Sequence, residues 1–245
     1  MKITIIGENC TDAFIYGEVN RLSPEAPVPV FIPIETIYNS GMAGNVAENL
    51  KALDSNIEIS EYYQKKKIIK TRYVDKKSNH MFIRIDEESD IDKFELDNSI
   101  IKNIEESDAV IISDYDKGFL NEDSIKSISS ISKFLIIDTK KKINDSIIKY
   151  FNFIKLNESE FLNNNISTEH LNKVIVTLGS KGAKYMNKNF PCPEPKETID
   201  VSGAGDTFTA SFTLKYLSSK DVEESIIFAN KMSSIVVSKR GVATP

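Results

Sequence analysis

Short apolar runs that end abruptly in polar residues set the rhythm of this chain. Residues 3–6 (ITII) are β-branched and close on Gly7, and the pattern returns after residue 90 as 109–113 (AVIIS), 134–138 (FLIID), 153–156 (FIKL) and 174–178 (VIVTL). Runs of this length suit strands buried on both faces, and the polar, helix-compatible stretches between them suit crossover helices. The expected fold is therefore α/β, with a mostly parallel central sheet. Each run passes directly into a polar segment (SDYDKG, DTKKK, NESE, GSKG). In an open α/β sheet those carboxyl ends share one edge, where ligands bind.

Two segments carry a helical period. In residues 41–53, Val46, Ala47, Leu50 and Leu53 fall on one face, and further on Phe208, Phe212 and Tyr216 recur every fourth residue, so a helix starts near Gly205. Pro24, Pro27, Pro29 and Pro33 exclude helix from the segment around them and assign it to an edge strand. Residues 67–86 read as a hairpin around the polar turn DKKSN. Paired with the proline-rich strand, the hairpin predicts a small sheet projecting from the core, a lid over roughly 13–39 and 66–86 of a single domain spanning 1–245.

Composition narrows the functions. The net charge of −5 offers no broad basic surface, which argues against nucleic acid as a partner. No segment approaches the ~18 apolar residues that span a bilayer, and the N-terminal apolar run is too short for a secretory signal, so no membrane partner and a cytoplasmic location are expected. Cys10, Cys192, His80 and His170 are isolated and predict neither a disulfide framework nor a zinc site. The lysine runs at 65–67 and 140–142 read as solvated faces.

The stretch IDVSGAGDTF (199–208) concentrates the chemistry. Gly203 and Gly205 lie where the late helix begins, so that backbone N–H groups can converge on an anion at its positive end. Asp206 in the same turn fits a base that takes the proton of an attacking hydroxyl, or else a simple helix cap. Neither a Walker A loop nor a GxGxxG fingerprint at the first strand is present.

DVSGAGDTF resembles the C-terminal signature of the ribokinase-like (PfkB) carbohydrate kinases. SPEAPVPV, NVAENL, IRID, SDYDKGFL, NESEF, VTLGSKG and FAN are similar, in order, to that family's branch acting on D-glycero-D-manno-heptose 7-phosphate. The resemblance implies a three-layer αβα sandwich with a β-sheet lid, and transfer of the γ-phosphate of ATP to a sugar hydroxyl, O1 of the heptose phosphate. It implies Asp206 as catalytic base, with the amides of Gly203, Ala204 and Gly205 as anion hole. Asp12, Gly41 and Asn45 would bind the sugar; Arg84, Asp114 and Lys117 complete the substrate set, with Arg84 and Lys117 the cations for its phosphate and Arg21 and Arg72 behind them. Lys140, Asn157, Glu160, Thr177, Gly179, Gly182 and Asn230 would serve ATP and Mg²⁺, while Asp200 and Ser202 match positions that help hold a monovalent cation such as K⁺. The lid implies a homodimer.

The sequence also departs from the pattern. Met42 replaces the second of two adjacent glycines before the helix carrying Asn45, the region after Leu53 is shorter than in the family, and a final helix after KRGVATP is not expected. These departures leave open a kinase for another sugar, or a trimmed relative that binds sugar phosphate or nucleotide without transfer.

Overall fold

Alternation along the central strands decides the layering. A computed structural model describes residues 1–87, 90–193 and 198–245. Strands β1 (Lys2–Gly7) and β7 (Ala109–Asp114) pair in parallel, with Ile3 opposite Ala109 and Ile5 opposite Ile111. These four join one apolar cluster, whereas Ile6, Val110 and Ile112 join a second on the other face. A strand buried on both sides needs no polar alternation, which is why these runs read as continuously apolar. Parallel pairing continues through β8 (Leu135–Thr139), β9 (Phe153–Asn157) and β10 (Val174–Thr177).

Helices α1 (Ala43–Leu53), α6 (Ala204–Ser219) and α7 (Val222–Val236) cover the first face; α2 (Asn98–Glu106) and α3 (Glu122–Ile131) cover the second. Phe208, Phe212 and Tyr216 stack along α6, with centroid spacings of 6.5 and 5.8 Å. Asp97, Asn121 and Asp221 cap the N-termini of α2, α3 and α7 with side-chain oxygens, so each of these helices starts where its sequence offers an acceptor. Two short helices, α4 (Asp145–Ile148) and α5 (Glu158–Leu162), flank β9 in sequence.

The large sheet is completed at one end by the antiparallel strands β11 (Ala183–Tyr185) and β12 (Lys188–Phe190). At the other end lies β4 (Glu58–Tyr63), giving the order β12-β11-β10-β9-β8-β7-β1-β4. The segment holding β4 reads from its sequence only as a short filler, because EISEYY has the mixed pattern of a half-buried edge strand rather than an apolar run.

A four-stranded sheet stands apart, in the order β3-β2-β5-β6, from β2 (Asn9–Leu22), β3 (Pro29–Met42), β5 (Ile69–Asp75) and β6 (Met81–Glu87). β3 is an edge strand, and Pro33 pairs with Gly17 at a register break, where a missing N–H is tolerated. The first strand pair reaches a few residues beyond the sequence limits at both ends, whereas the second starts three residues inside its limit and ends one residue beyond it.

Met42 joins β3 directly to α1 with φ 56° and ψ −133°, a backbone region that side chains rarely occupy. Its side chain is buried with Cys10 and Ile68. Met42→Ala keeps the backbone strain and loses the packing, while Met42→Gly loses the packing but relieves the strain. Urea denaturation is expected to find the glycine variant more stable than the alanine variant by ~1–2 kcal/mol, the reverse of the usual order.

Candidate active site

The start of α6 is built around residues without side chains. Gly203 adopts φ 79°, and a Cβ there would stand 2.5 Å from Asn45 Nδ2; a Cβ on Gly205 would stand 2.8 Å from Lys155 Nζ. The Ala204 N–H turns back to the Val201 carbonyl at 3.3 Å. The other first-turn amides of a helix have no intrahelical acceptor and carry the positive end of its dipole, which suits an anion.

Asp206 is 3% exposed and does not cap the helix. Its Oδ1 accepts the Tyr115 hydroxyl at 2.8 Å, and its Oδ2 accepts Asn45 Nδ2 at 2.9 Å. The orientation of the Asn45 amide follows from a short relay. Thr207 Oγ1 donates to Asn49 Oδ1 (2.7 Å), and Asn49 Nδ2 then donates to Asn45 Oδ1 (2.9 Å), which turns the Asn45 NH₂ toward Asp206.

Burial pushes the Asp206 carboxyl up to about 6, Asp138 adds to the rise, and Asn45, Tyr115 and Lys155 oppose it. Lys155, a buried cation on β9, donates to Asp138 Oδ2 at 2.8 Å, and Thr209 Oγ1 lies 3.3 Å from the same oxygen. Burial disfavours the charge on Lys155, but Asp138 more than offsets this, and the ammonium is held above its ordinary range. If the Asp206 carboxylate is the working form, kcat/KM falls as pH drops through about 6 and levels off above it; a pH–rate profile checks this.

Two cavities meet at Asp206. One of about 690 Å³ is lined by Lys140, Lys155, Asn157, Thr177, Gly179, Gly182, Ala204, Gly205 and Asn230 among others, and one of about 110 Å³ by Asp12, Met42, Lys70, Arg72, Ser202 and Val242. Tyr115, Gly203 and Asp206 line both. In the smaller cavity Arg72 forms an ion pair with Asp12, and Gly41 lies so close to the Asp12 carboxylate and Cys10 that no side chain fits there.

Most of the residues singled out from the sequence thus converge on this wall, but some do not. Asp114 is buried and accepts Thr139 Oγ1 (2.9 Å), Lys141 Nζ (3.1 Å) and the Asp116 N–H (3.1 Å), outside both linings. Lys117 also lies outside them, its amide donating to Glu8 at 3.2 Å. Arg84, opposite Arg72 in the ladder, pairs with Asp86 at 2.7 Å on the exposed strand β6. Arg21 sits on the exposed end of β2.

Glu160 closes a capping box with Asn157 and pairs with Lys140. Asn230 Nδ2 donates to the Phe190 carbonyl at 2.8 Å. Asp200 braces the turn, accepting the amides of Ser202 (2.9 Å) and Gly241 (3.2 Å). The sequence reading missed Tyr115, Lys70 and Lys155 as site residues. Lys155 did leave a signal, a lone cation inside the apolar strand FIKL.

The model of the pfkB family carbohydrate kinases matches residues 43–245. The chain belongs to that family. Among pfkB relatives, the bifunctional protein HldE of Helicobacter pylori (strain J99 / ATCC 700824) is 32% identical over 296 aligned positions, covering 99% of this chain and 64% of that protein. The chain therefore spans less than two thirds of that relative, and the alignment is longer than its 245 residues, so the relative carries positions that this pfkB kinase lacks. In fold it is similar to the Arabidopsis thaliana ribokinase solved with ribose and ATP (TM-score 0.69, 14% identity, 98% of this chain and 93% of that one). It is equally similar to the Escherichia coli phosphofructokinase-2 solved with potassium (TM-score 0.69, 15% identity, 98% and 93%). The expected ribokinase-like fold and carbohydrate-kinase class are borne out. Among the described residues no helix is long and apolar enough to cross a membrane.

The pfkB site fits a nucleotide on its own geometry. Gly179 (φ 59°) and Gly182 (φ 90°) form a turn open to the larger cavity, whose volume falls in the ~300–1,000 Å³ range of ligand pockets. Each Asp200 oxygen accepts one amide hydrogen and keeps a further lone pair, so the donor chemistry also admits a monovalent cation.

Proposed function

We propose that this chain is an ATP-dependent kinase that transfers the γ-phosphate to a hydroxyl of a sugar already bearing a phosphate, O1 of D-glycero-D-manno-heptose 7-phosphate. The observation that carries the reading is the wall shared by two cavities. Asp206 and Gly203 at the start of α6 border both, with a nucleotide-sized space on one side and a space holding Asp12, Lys70 and Arg72 on the other. Asp12 suits sugar hydroxyls, and a cation pair beside it suits a phosphate better than a neutral sugar. The relatedness to HldE supports the heptose.

In this reading ATP lies in the larger cavity along Thr177, Gly179, Gly182 and Asn230, with Lys140 and Lys155 beside its phosphates. Magnesium, held by the phosphates and by water on Asn157 and Glu160, would offset phosphate charge. A monovalent cation near Asp200 and Ser202 would reinforce the anion hole. Asp206 takes the proton of the sugar hydroxyl while the amides at the start of α6 receive the moving phosphoryl group, since phosphoryl transfer depends mainly on positioning and charge stabilisation. ATP as donor makes the cytoplasm the compartment of the reaction.

A smaller set of observations favours binding without transfer. The 110 Å³ cavity is below the volume a sugar phosphate fills, and Arg72 occupies Asp12 there, so catalysis requires the four-stranded sheet to move as a lid. A screen of heptose 7-phosphate, fructose 6-phosphate and free pentoses, monitored by ADP release, tests the proposal. Sugar-phosphate binding by calorimetry with no ADP from any of them overturns it in favour of a binding protein.

The lid carries the dimer part of the proposal. Tyr38, Ile83 and Ile85 are exposed and, by strand alternation, share the face opposite Asp12 and Arg72. Covering that face with a second copy removes an apolar surface from water. Light scattering is expected to give a dimer, and Ile83→Glu a monomer.

A further inference from the structure

One side chain at the shared wall lies outside every role assigned above. Tyr115 follows β7, and its backbone N–H donates to Glu8 Oε2 at 2.8 Å. Glu8, fully buried at the end of β1, also accepts the amides of Lys117 and Phe119, each at 3.2 Å. One carboxylate thus ties down a loop whose turns at Asp116 (φ 59°) and Gly118 (φ 96°) are otherwise costly or pliant. The loop is anchored where β1 ends, and the Tyr115 ring is delivered to the wall between the two cavities. There its hydroxyl meets Asp206 Oδ1 at 2.8 Å.

The two partners of Asp206 differ in chemistry. An amide NH₂ such as that of Asn45 only donates, whereas a phenol both donates and accepts. When Asp206 is ionised, both can donate to it. When a proton arrives on Oδ1, the Tyr115 hydroxyl can turn and accept it, so that this hydrogen bond persists in both states. A proton on Oδ2 would leave the Asn45 amide facing an oxygen whose charge is gone.

We propose that Tyr115 is the positioning residue of the base: anchored through Glu8, its phenol aims Asp206 at the shared wall and makes Oδ1 the oxygen that receives the substrate proton. The inference rests on the kinase reading above. In the step it serves, the sugar hydroxyl oxygen forms its bond to the γ-phosphorus as the bond from that phosphorus to the ADP oxygen breaks. The hydroxyl proton passes to Asp206 Oδ1 and leaves to solvent after product release. Tyr115 neither gains nor loses a proton.

The surroundings allow a clean test. Asp138 and Lys155 face Asp206 from β8 and β9, and Cys10 from β2; Lys70 and Lys140 lie over the Tyr115 ring at 5.4 and 5.6 Å, and the Asp12–Arg72 pair lies across the smaller cavity. Tyr115→Phe keeps the ring and these charges and removes the hydroxyl alone.

The experiment compares wild type with Tyr115→Phe by kcat and KM over pH 5–9, and by ¹³C NMR titration of the Asp206 carboxyl carbon. The variant is expected to keep both Michaelis constants, lose ~10- to 100-fold in kcat, the loss of one hydrogen bond to a charged group, and move the acid limb to higher pH. The carboxyl titration is expected to move the same way, because the ionised form has lost a donor. A lower kcat with the acid limb and the carboxyl titration unmoved would make Tyr115 merely structural and overturn the proposal. If wild type releases no ADP with any sugar phosphate, the kinase reading falls, while the carboxyl titration still decides whether Tyr115 governs Asp206.

Discussion

Asp206→Asn is expected to lower kcat by ~10²- to 10⁴-fold, the range of a positioned general base, with nucleotide affinity unchanged. An assay of ADP release alongside calorimetry of nucleotide binding checks both halves, and a variant retaining wild-type turnover removes Asp206 from the chemistry. The same substitution is expected to stabilise the protein. A carboxyl raised from 3.8 to about 6 by folding binds its proton more tightly in the folded chain than in the unfolded one. The stability this gives is fully present below the unfolded value and is lost as pH rises through about 6, so wild type gives up about 2 kcal/mol from this group between pH 4 and 7. Asparagine is neutral throughout. Urea unfolding at pH 7.5 should therefore find Asp206→Asn more stable, with a flatter pH dependence below pH 7. Activity and stability oppose one another here because the base is kept dry.

The second large effect concerns the ion pair under the start of α6. Lys155→Met leaves Asp138 buried without its cation and is expected to cost ~3–5 kcal/mol in urea unfolding, as breaking a buried pair does. Adding Asp138→Asn removes the orphaned charge and should recover most of the loss. A destabilisation of the single variant within ~0.5 kcal/mol of wild type, the scale of a surface change, would mean that water reaches the pair. On the proposed function the double variant should remain defective in ATP turnover even where it folds well, since the ammonium lies beside Gly205 in the turn assigned to the moving phosphoryl group.

How far this site could be read from the sequence depends on the kind of signal each residue left. Asp206 and its glycines were legible because a GxGD turn before a helical period is a local pattern. The strands of the large sheet were legible because burial on both faces writes an unbroken apolar run, and β4 was not, because an edge strand buries only part of itself. Among the cations, Arg84 was favoured over Arg72 from its motif, yet both stand in one ladder, and only the register shows that Arg72 lies a strand nearer to Asp12. Lys70 and Tyr115 enter the site through tertiary placement, the first by pairing opposite Asp12 and the second through the grip of Glu8 on its loop. Glu8 itself was visible only as an acid after a strand; its three amide partners lie more than a hundred residues away.

The direct join of β3 to α1 at Met42 links the small sheet to the neighbours of Asp206. Asn45, which donates to Asp206, sits three residues beyond that join and in the first turn of the same helix. Any swing of the small sheet that pivots at this joint twists the root of α1, so in the proposed reaction admitting a sugar and arming the carboxylate become one mechanical event.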